Sequence, residues 1–320
     1  MPRLLDRTRA LLRRLAGGAA APGHPREAVE ANERGNRASE AGDLAAAEKA
    51  YLDAARLAPG WSSPWFNLGI LWKHQARWEE TRDACRRVLA LEPSSAGAAW
   101  NLGIAATALG DWAEARRAWR DAGVSIPDGK GPIELTLGPV PIRVSTADAP
   151  EVVWCERIDP ARARVVSIPT PDTGRRHGDL VLHDGAPNGW RMLGDREVPV
   201  FDELALIVPS RFATFTVDVD LPSEEDRTAL EAALSARELV AEDWTTQMQL
   251  LCKACSEGRP HAAGEGHVHR EAAGWKVEHT IGIAAEALAP IEDALAEWVR
   301  GGPGRAHGEI VRALAGAALA

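Results

Sequence analysis

One short segment in the C-terminal third concentrates side chains that bind soft or borderline metal ions. Cys252 and Cys255 stand at Cys-x-x-Cys spacing, and His261, His267 and His269 follow them. Two thiolates at this spacing can turn toward one ion, and a glycine-containing spacer lets histidines complete the tetrahedral shell that Zn²⁺ prefers. The sequence therefore predicts zinc bound by Cys252, Cys255 and His261, with His267, His269 or both as further ligands.

Four interpretations of this segment stay open. A closed four-ligand site would be structural, whereas a catalytic site would need an open position with a base such as Glu257 or Glu265 beside it. A redox or metal-sensing thiol pair is typical of a helix N-terminus, where the dipole lowers the thiol pKa, but these cysteines follow a predicted strand. They can also be loop residues without chemistry. The density of ligands favours the structural zinc site.

No other catalytic constellation can be located in the sequence. We find no nucleophile with a base and an orienting group, no phosphate-binding loop and no paired carboxylates. His183 and Asp184 are adjacent, but they belong to HDGAPNGW, whose composition favours a turn at the mouth of a hairpin. The sequence therefore favours an interaction module, with a metal-dependent enzyme or a thiol-redox or metal sensor as the alternative.

The first half of the chain contains a repeat of 34 residues. The recurring sets are Gly35, Gly69 and Gly103; Gly42, Ala76 and Gly110; Ala47, Thr81 and Ala115; Tyr51, Cys85 and Trp119; and Pro59, Pro93 and Pro127. One helical pair cannot bury its apolar face alone, so the pattern predicts three stacked pairs with small residues where helices cross.

This pattern resembles the tetratricopeptide repeat family, with helix-turn-helix units at residues 29–62, 63–96 and 97–130. The resemblance implies an all-α solenoid over residues 26–128. It also implies a concave groove, lined by the first helix of each unit, that binds a protein or peptide partner.

Three asparagines fall on the helices that would line this groove. Amide donors and acceptors at Asn36, Asn67 and Asn101 can hold an extended peptide backbone, although they can also be solvated polar positions. The family's sub-pattern for an acidic chaperone tail is half present: Asn36 and Asn67 match it, but Asn32, Gly97 and Asn101 stand where the resemblance would place cations. An acidic tail is therefore not the expected ligand.

After Pro127 the helical period gives way to short β-favouring runs divided by proline, glycine and aspartate. The runs are IELTL, VPIRV, EVVWCERI, ARVVSIP, GDLVLHD, WRML, VPVF and ELALIV. They predict a small antiparallel β domain or barrel over residues 130–211.

Residues 212–320 predict an α+β domain around the Cys/His-rich insert 252–269. ATFTVDVDL and LVAEDWTTQMQLLC predict strands on either side of the helix SEEDRTALEAALSAR, which opens with a Ser-x-x-Asp cap. After the insert, WKVEHTIGIAA predicts a strand, EALAPIEDALAEWVRG a helix and HGEIVRALA a last strand or helix. This β-α-β then β-α-β order predicts a ferredoxin-like sandwich. The combination of EVVW, IP and GDLV followed by such a unit also resembles a group of bacterial domains, a resemblance that assigns no site.

Composition sets the remaining limits. The chain has 320 residues, 45% of them hydrophobic, which suffices for two or three folded domains. Residues 1–25 carry five arginines and predict a basic helix with a linker. Because the formal net charge is -9 and phosphate neutralisation needs a basic face, a nucleic-acid partner is disfavoured. No run approaches the roughly 20 apolar residues of a membrane span, and the four cysteines favour the reducing cytoplasm over a disulfide framework.

Overall fold

The structure, a computed structural model, describes residues 23–146, 149–247 and 275–318. It divides the chain into two units, Met1–Glu134 and Leu135–Ala320. Among the described helices, none has the length and apolar character needed to cross a membrane.

The described part of the first unit contains six helices that pair into three helical hairpins. They are α1 (Arg26–Glu40), α2 (Leu44–Leu57), α3 (Ser62–Lys73), α4 (Trp78–Leu91), α5 (Ala96–Ala108) and α6 (Trp112–Asp121). The turn within each hairpin needs a left-handed residue at the same repeat position. Glycine supplies it at Gly42 (φ 77°) and Gly110 (φ 71°), whereas Ala76 adopts it at φ 55° in the middle hairpin.

In the first and last hairpins, an aromatic side chain from the second helix lies over a glycine of the first helix, and in the middle hairpin the smaller Cys85 takes this place over Gly69. A Cβ on Gly35 would lie 2.5 Å from the Tyr51 ring, and a Cβ on Gly103 would lie 2.7 Å from the Trp119 ring. At the crossings themselves, the small side chains predicted from the period are buried. The hairpins therefore repeat with the 34-residue period found in the sequence.

An extended segment after α6 packs along the last hairpin. The Arg116 guanidinium, which is buried, donates to the carbonyl oxygens of Pro127 at 3.3 Å and Gly131 at 2.7 Å. Ile126 and Ile133 in this segment are buried as well. Arginine therefore satisfies backbone carbonyls that a further helix would have satisfied internally.

The second unit begins with a closed five-stranded barrel. Its strands are β1 (Pro139–Thr146), β2 (Ala149–Arg157), β3 (Arg162–Val165), β4 (Leu180–Leu193) and β5 (Arg196–Val208). Successive strands pair antiparallel, and the barrel closes where β1 pairs parallel with β5 through Ile142 opposite Phe201. Alternate residues point inward, among them Val140, Val153 and Val165.

Two local expectations in this region were wrong. The run IELTL forms no strand, and HDGAPNGW is not a turn but the middle of β4, which joins GDLVLHD to WRML. The pairing of β4 with β5 shifts register around His183 and Pro187, so the glycine, proline and asparagine are accommodated as bulges. The turn between β4 and β5 falls instead at Gly194, which has φ 58°.

The rest of the second unit is a sheet of strand order β10-β6-β8-β7 in which neighbours pair antiparallel. Its elements are β6 (Ala213–Asp220), α7 (Glu224–Ser235), β7 (Val240–Asp243), a short helix α8 (Trp244–Gln247), β8 (Glu278–Ala285), α9 (Ala289–Arg300), β9 (Ala306–His307) and β10 (Val311–Leu314). Side chains of α7 and α9, including Leu230, Leu295 and Trp298, bury Phe215 and Ile283 of the sheet.

The run LVAEDWTTQMQLLC is not a single strand. Strand β7 ends at Asp243, whose carboxylate accepts hydrogen bonds from the backbone N–H groups of Thr245 at 3.0 Å and Thr246 at 3.4 Å. This is the side-chain cap of a helix N-terminus, and it turns the chain into α8.

Candidate partner-binding groove

The first helices of neighbouring hairpins are joined by side-chain amides. Asn67 on α3 donates through Nδ2 to Oδ1 of Asn32 at 3.0 Å and to Oδ1 of Asn36 at 3.3 Å, both on α1. The Tyr51 hydroxyl donates to the same Asn36 oxygen at 3.0 Å. These bonds hold the amides in fixed orientations between α1 and α3.

A buried lysine makes the corresponding link between α3 and α5. Lys73 is 4% exposed, and its Nζ donates to Oδ1 of Asn101 at 3.2 Å. The neighbouring Cys85 thiol is also buried, and that burial raises its pKa to about 12 although Lys73 acts in the opposite direction. The thiol therefore stays protonated and inert at neutral pH.

The amide atoms not used in these bonds keep their hydrogen-bonding capacity. Since Asn67 donates both of its N–H groups, its Oδ1 remains as an acceptor. Since Asn32, Asn36 and Asn101 accept through Oδ1, their Nδ2 groups remain as donors. Among the described residues, no further hydrogen bond engages these four groups.

The structure thus places Asn36, Asn67 and Asn101 on the helices that the repeat pattern predicted. It brings Asn36 and Asn67 together, while Asn101 contacts Lys73 instead of another asparagine. Asn67 and Asn101 are 8% and 7% exposed, so they are not solvated surface positions. Sequence reasoning missed the part that Lys73 plays, although its position seven residues after Phe66 places it on the same helix face.

His183 and Asp184 do not lie at a hairpin mouth. His183 is fully buried in β4, stacked on Phe201 at 5.3 Å, and its Nδ1 donates to the backbone oxygen of Asp184 at 2.7 Å. Its Nε2 has no hydrogen-bond partner among the described residues. Burial, with a smaller contribution from Arg157, lowers the pKa of His183 to about 4, so the imidazole is neutral at pH 7.

The five predicted zinc ligands, Cys252, Cys255, His261, His267 and His269, lie outside the described residues. Within the described ranges, no group of three or more His, Cys, Asp or Glu side chains is placed to hold a metal ion. The chain on either side of the segment is held together: His279 Nδ1 donates to Asp243 Oδ2 at 2.8 Å, and the Thr280 N–H donates to Thr245 Oγ1 at 2.9 Å.

The first unit has the repeating geometry that the sequence period predicts. Three helical hairpins recur with a 34-residue period, small residues lie at each crossing, and Tyr51, Cys85 and Trp119 face the repeat glycines. Residues 26–121 have the fold of three tetratricopeptide-like helical hairpins.

Comparison with solved structures finds tetratricopeptide domains. The second such domain of Spaghetti (RPAP3), bound to the HSP90 peptide SRMEEVD, is 22% identical, with a TM-score of 0.30 over 30% of this chain and 90% of that one. The corresponding domain of Arabidopsis OM64 is 19% identical, with a TM-score of 0.29 over 30% of this chain and 78% of that one. The TPR2B domain of yeast Sti1, in complex with pHsp70, is 21% identical, with a TM-score of 0.29 over 31% of this chain and 78% of that one. No protein-family model and no curated protein matches the chain.

Proposed function

We propose that the protein is an interaction module that binds an extended peptide segment of a partner protein along α1, α3 and α5. The observation that supports this function most strongly is the set of oriented amides. Each residue of an extended peptide presents one N–H and one C=O, and the groove offers donors at Asn32, Asn36 and Asn101 and an acceptor at Asn67. Because protein hydrogen bonds already orient these amides, little side-chain entropy is lost on binding.

If the asparagine amides bind the partner, replacing these residues should weaken partner binding. In the triple variant Asn36→Ala, Asn67→Ala, Asn101→Ala we expect partner affinity to fall by about 100-fold, because each lost hydrogen bond is worth about 1 kcal/mol. The measurement is a quantitative pull-down with the intact protein, followed by titration of the captured partner.

The matched control changes one exposed residue on the second helix of each hairpin: Lys49→Ala, Arg87→Ala and Arg117→Ala. This variant should capture the same partners as the unsubstituted protein. Circular dichroism of both variants checks that the helices remain. Identical partner lists for the asparagine variant and the control would contradict the proposal that the groove binds the partner.

We also propose a structural zinc site held by Cys252, Cys255 and one or two of His261, His267 and His269. The number of ligand side chains in one glycine-containing segment supports the proposal, because metal binding can supply folding free energy to a segment of few apolar residues. The contacts of Asp243 with His279 and of Thr245 with Thr280 support it as well, since they bring the flanking strands together.

The zinc proposal predicts about one metal ion per chain in protein purified without chelator. Replacing Cys252 and Cys255 with serine should abolish the metal and leave the helical repeats folded, since these have a separate core. Affinity should weaken as pH falls through about 6, where thiolate and histidine ligands take up protons. Elemental mass spectrometry measures occupancy, with the exposed histidine pair His74→Ala, His307→Ala as the control. Full occupancy in the double serine variant would contradict the proposal, as would less than about a tenth of an equivalent in the unsubstituted protein.

We further propose that residues 212–320 form a ferredoxin-like sandwich and that the protein works in the reducing cytoplasm. Strand order β10-β6-β8-β7, with α7 and α9 packed on the sheet, supports the first proposal. The buried, unbonded thiols of Cys85 and Cys155 support the second.

A further inference from the structure

The groove changes its chemistry from one end to the other. Residues at positions i, i+4 and i+7 share a helix face, and positions 34 residues apart lie side by side on neighbouring hairpins. On α1 this face carries Asn32, Asn36 and Ser39. All three are polar and uncharged, and Asn36 and Ser39 are accessible to solvent. The α1 end of the groove therefore offers hydrogen bonds and little apolar surface.

The equivalent faces of α3 and α5 are largely apolar. Phe66 and Ile70 on α3 and Trp100 on α5 are each partly exposed, while Ile104 and Thr107 of α5 are buried beneath the surface. The hydrogen bond from Lys73 to Asn101 places these two helices next to each other. Partly exposed apolar side chains on adjacent helices form a surface that an apolar ligand group can cover.

The α5 side of this apolar surface is supported by the core. The Trp100 ring packs edge to face against Trp119, with ring centroids 5.1 Å apart, and Trp119 is fully buried over Gly103. Phe66 precedes Asn67, whose amide is fixed by its bonds to α1. A ligand side chain over α5 would therefore meet a preformed surface.

The charges along the groove disfavour an acidic ligand. Lys73 is the cation of the α3 face, but it is 4% exposed and its Nζ is directed to Asn101. At the end of α1, adjacent to Ser39, the Glu40 carboxylate is exposed. A negatively charged segment would meet the exposed Glu40 carboxylate at the α1 end. At the equivalent position of α3 lies the exposed imidazole of His74, but the three faces carry no exposed lysine or arginine, so a basic segment would be attracted to Glu40.

We propose that the groove selects an extended segment that is neutral or basic over α1 and carries bulky apolar side chains over α3 and α5. This inference rests on the proposed peptide-binding function and specifies its partner class. The ligand is an internal or terminal stretch of a partner protein, and a terminal carboxylate contributes nothing to its recognition.

The experiment measures binding of the intact protein to synthetic peptides of one length in four classes. Two classes carry a basic block and an apolar block in either order, one is acidic, and one is polar and uncharged; each is made with a free and an amidated C-terminus. We expect one of the two basic–apolar classes to bind at least about tenfold more tightly than the acidic class, with no effect of amidation. Preference for acidic peptides, or equal binding of all classes, would overturn the inference while leaving peptide binding intact.

Variants locate the two ends of the ligand. Phe66→Ala with Ile70→Ala should weaken the basic–apolar peptides and leave the polar class unchanged. Glu40→Lys should weaken the same peptides in proportion to their basic charge, whereas Glu231→Lys, the same change at an exposed site on α7, should not. Equal effects of Glu40→Lys and Glu231→Lys would contradict the placement of the basic block.

If no peptide class binds, or if the triple asparagine variant binds as the unsubstituted protein does, the proposed peptide-binding function is wrong and the inference about its ligand is wrong with it.

Discussion

Gly103→Ala is expected to destabilise the repeats severely, whereas Gly69→Ala, at the same position one repeat earlier, is expected to be tolerated. A methyl group on Gly103 would lie 2.7 Å from three atoms of the fully buried Trp119 ring. Trp100 packs edge to face against that ring and restricts its movement. On Gly69 the nearest atom is the Cys85 Sγ at 3.4 Å, which is close to ordinary contact.

Both substitutions replace glycine by alanine at the same repeat position, so both gain the same helix propensity. The difference between their free energies of unfolding therefore reports the neighbouring side chain. Alanine gains about 1 kcal/mol over glycine inside a helix, while overpacking a core costs about 1–3 kcal/mol and more where neighbours cannot move. We therefore expect Gly103→Ala to lower the free energy of unfolding by about 2 kcal/mol or more. Gly69→Ala should change it by less than about 1 kcal/mol in either direction.

Urea unfolding followed by helical circular dichroism measures both variants. The double variant Gly103→Ala, Trp119→Leu should be less destabilised than the sum of its single variants, because the smaller side chain makes room for the methyl group. Equal midpoints for Gly69→Ala and Gly103→Ala would show that the ring over the glycine does not limit the packing.

The second large effect concerns pH: the barrel is expected to lose stability as pH falls from about 6.5 to about 4, where buried His183 titrates. Its pKa lies at 6.5 in the reference state and at about 4 in the fold. Between these values the unfolded chain binds the proton and the folded chain does not, so acidification favours unfolding. At about 1.4 kcal/mol per pKa unit, the loss is about 3 kcal/mol and is complete below the folded pKa.

His183→Asn isolates this contribution, because asparagine can donate to the Asp184 oxygen but does not titrate. Urea midpoints followed by tryptophan fluorescence between about pH 4 and 7 should fall less steeply in this variant than in the unsubstituted protein. Burial raises the pKa of the Asp179 and Glu242 carboxyls, and these groups stabilise the fold on acidification. Their contribution is common to both proteins, so the difference in slope belongs to His183.

The control is His177→Asn, which removes a partly exposed imidazole from the same unit. It should leave the slope of the unsubstituted protein unchanged. A His183→Asn slope equal to that of the control would show that the buried imidazole does not control the acid response.

The helices of the repeats were predictable because their signals are local or periodic. A helix needs neighbours three and four residues away, and the 34-residue recurrence of glycine, small residues and large side chains marks where hairpins cross. The placement of Asn36, Asn67 and Asn101 on the first helices followed from the same period. Strands such as Ala213–Asp220 were likewise visible through alternation.

Pairing between distant residues decided what the sequence could not. HDGAPNGW has the composition of a turn, yet a long β5 pairs across it and absorbs its irregular residues as bulges. Closure of the barrel joins Ile142 to Phe201, a contact that no local pattern encodes. Local preferences in this stretch were overridden because the free energy of barrel closure and core burial depends on both strands at once.

The candidate groove shows the same division between sequence and tertiary structure. The sequence by itself determined which residue types line the first helices and that Cys252, Cys255 and three histidines share one segment, whose zinc site remains a prediction. Only the tertiary structure decided that Asn67 donates both of its N–H groups to asparagines of α1, and that Lys73 is buried and bonded to Asn101. Hydrogen bonds between side chains about one repeat apart depend on how the helices cross, and crossing is set by the packing of whole faces.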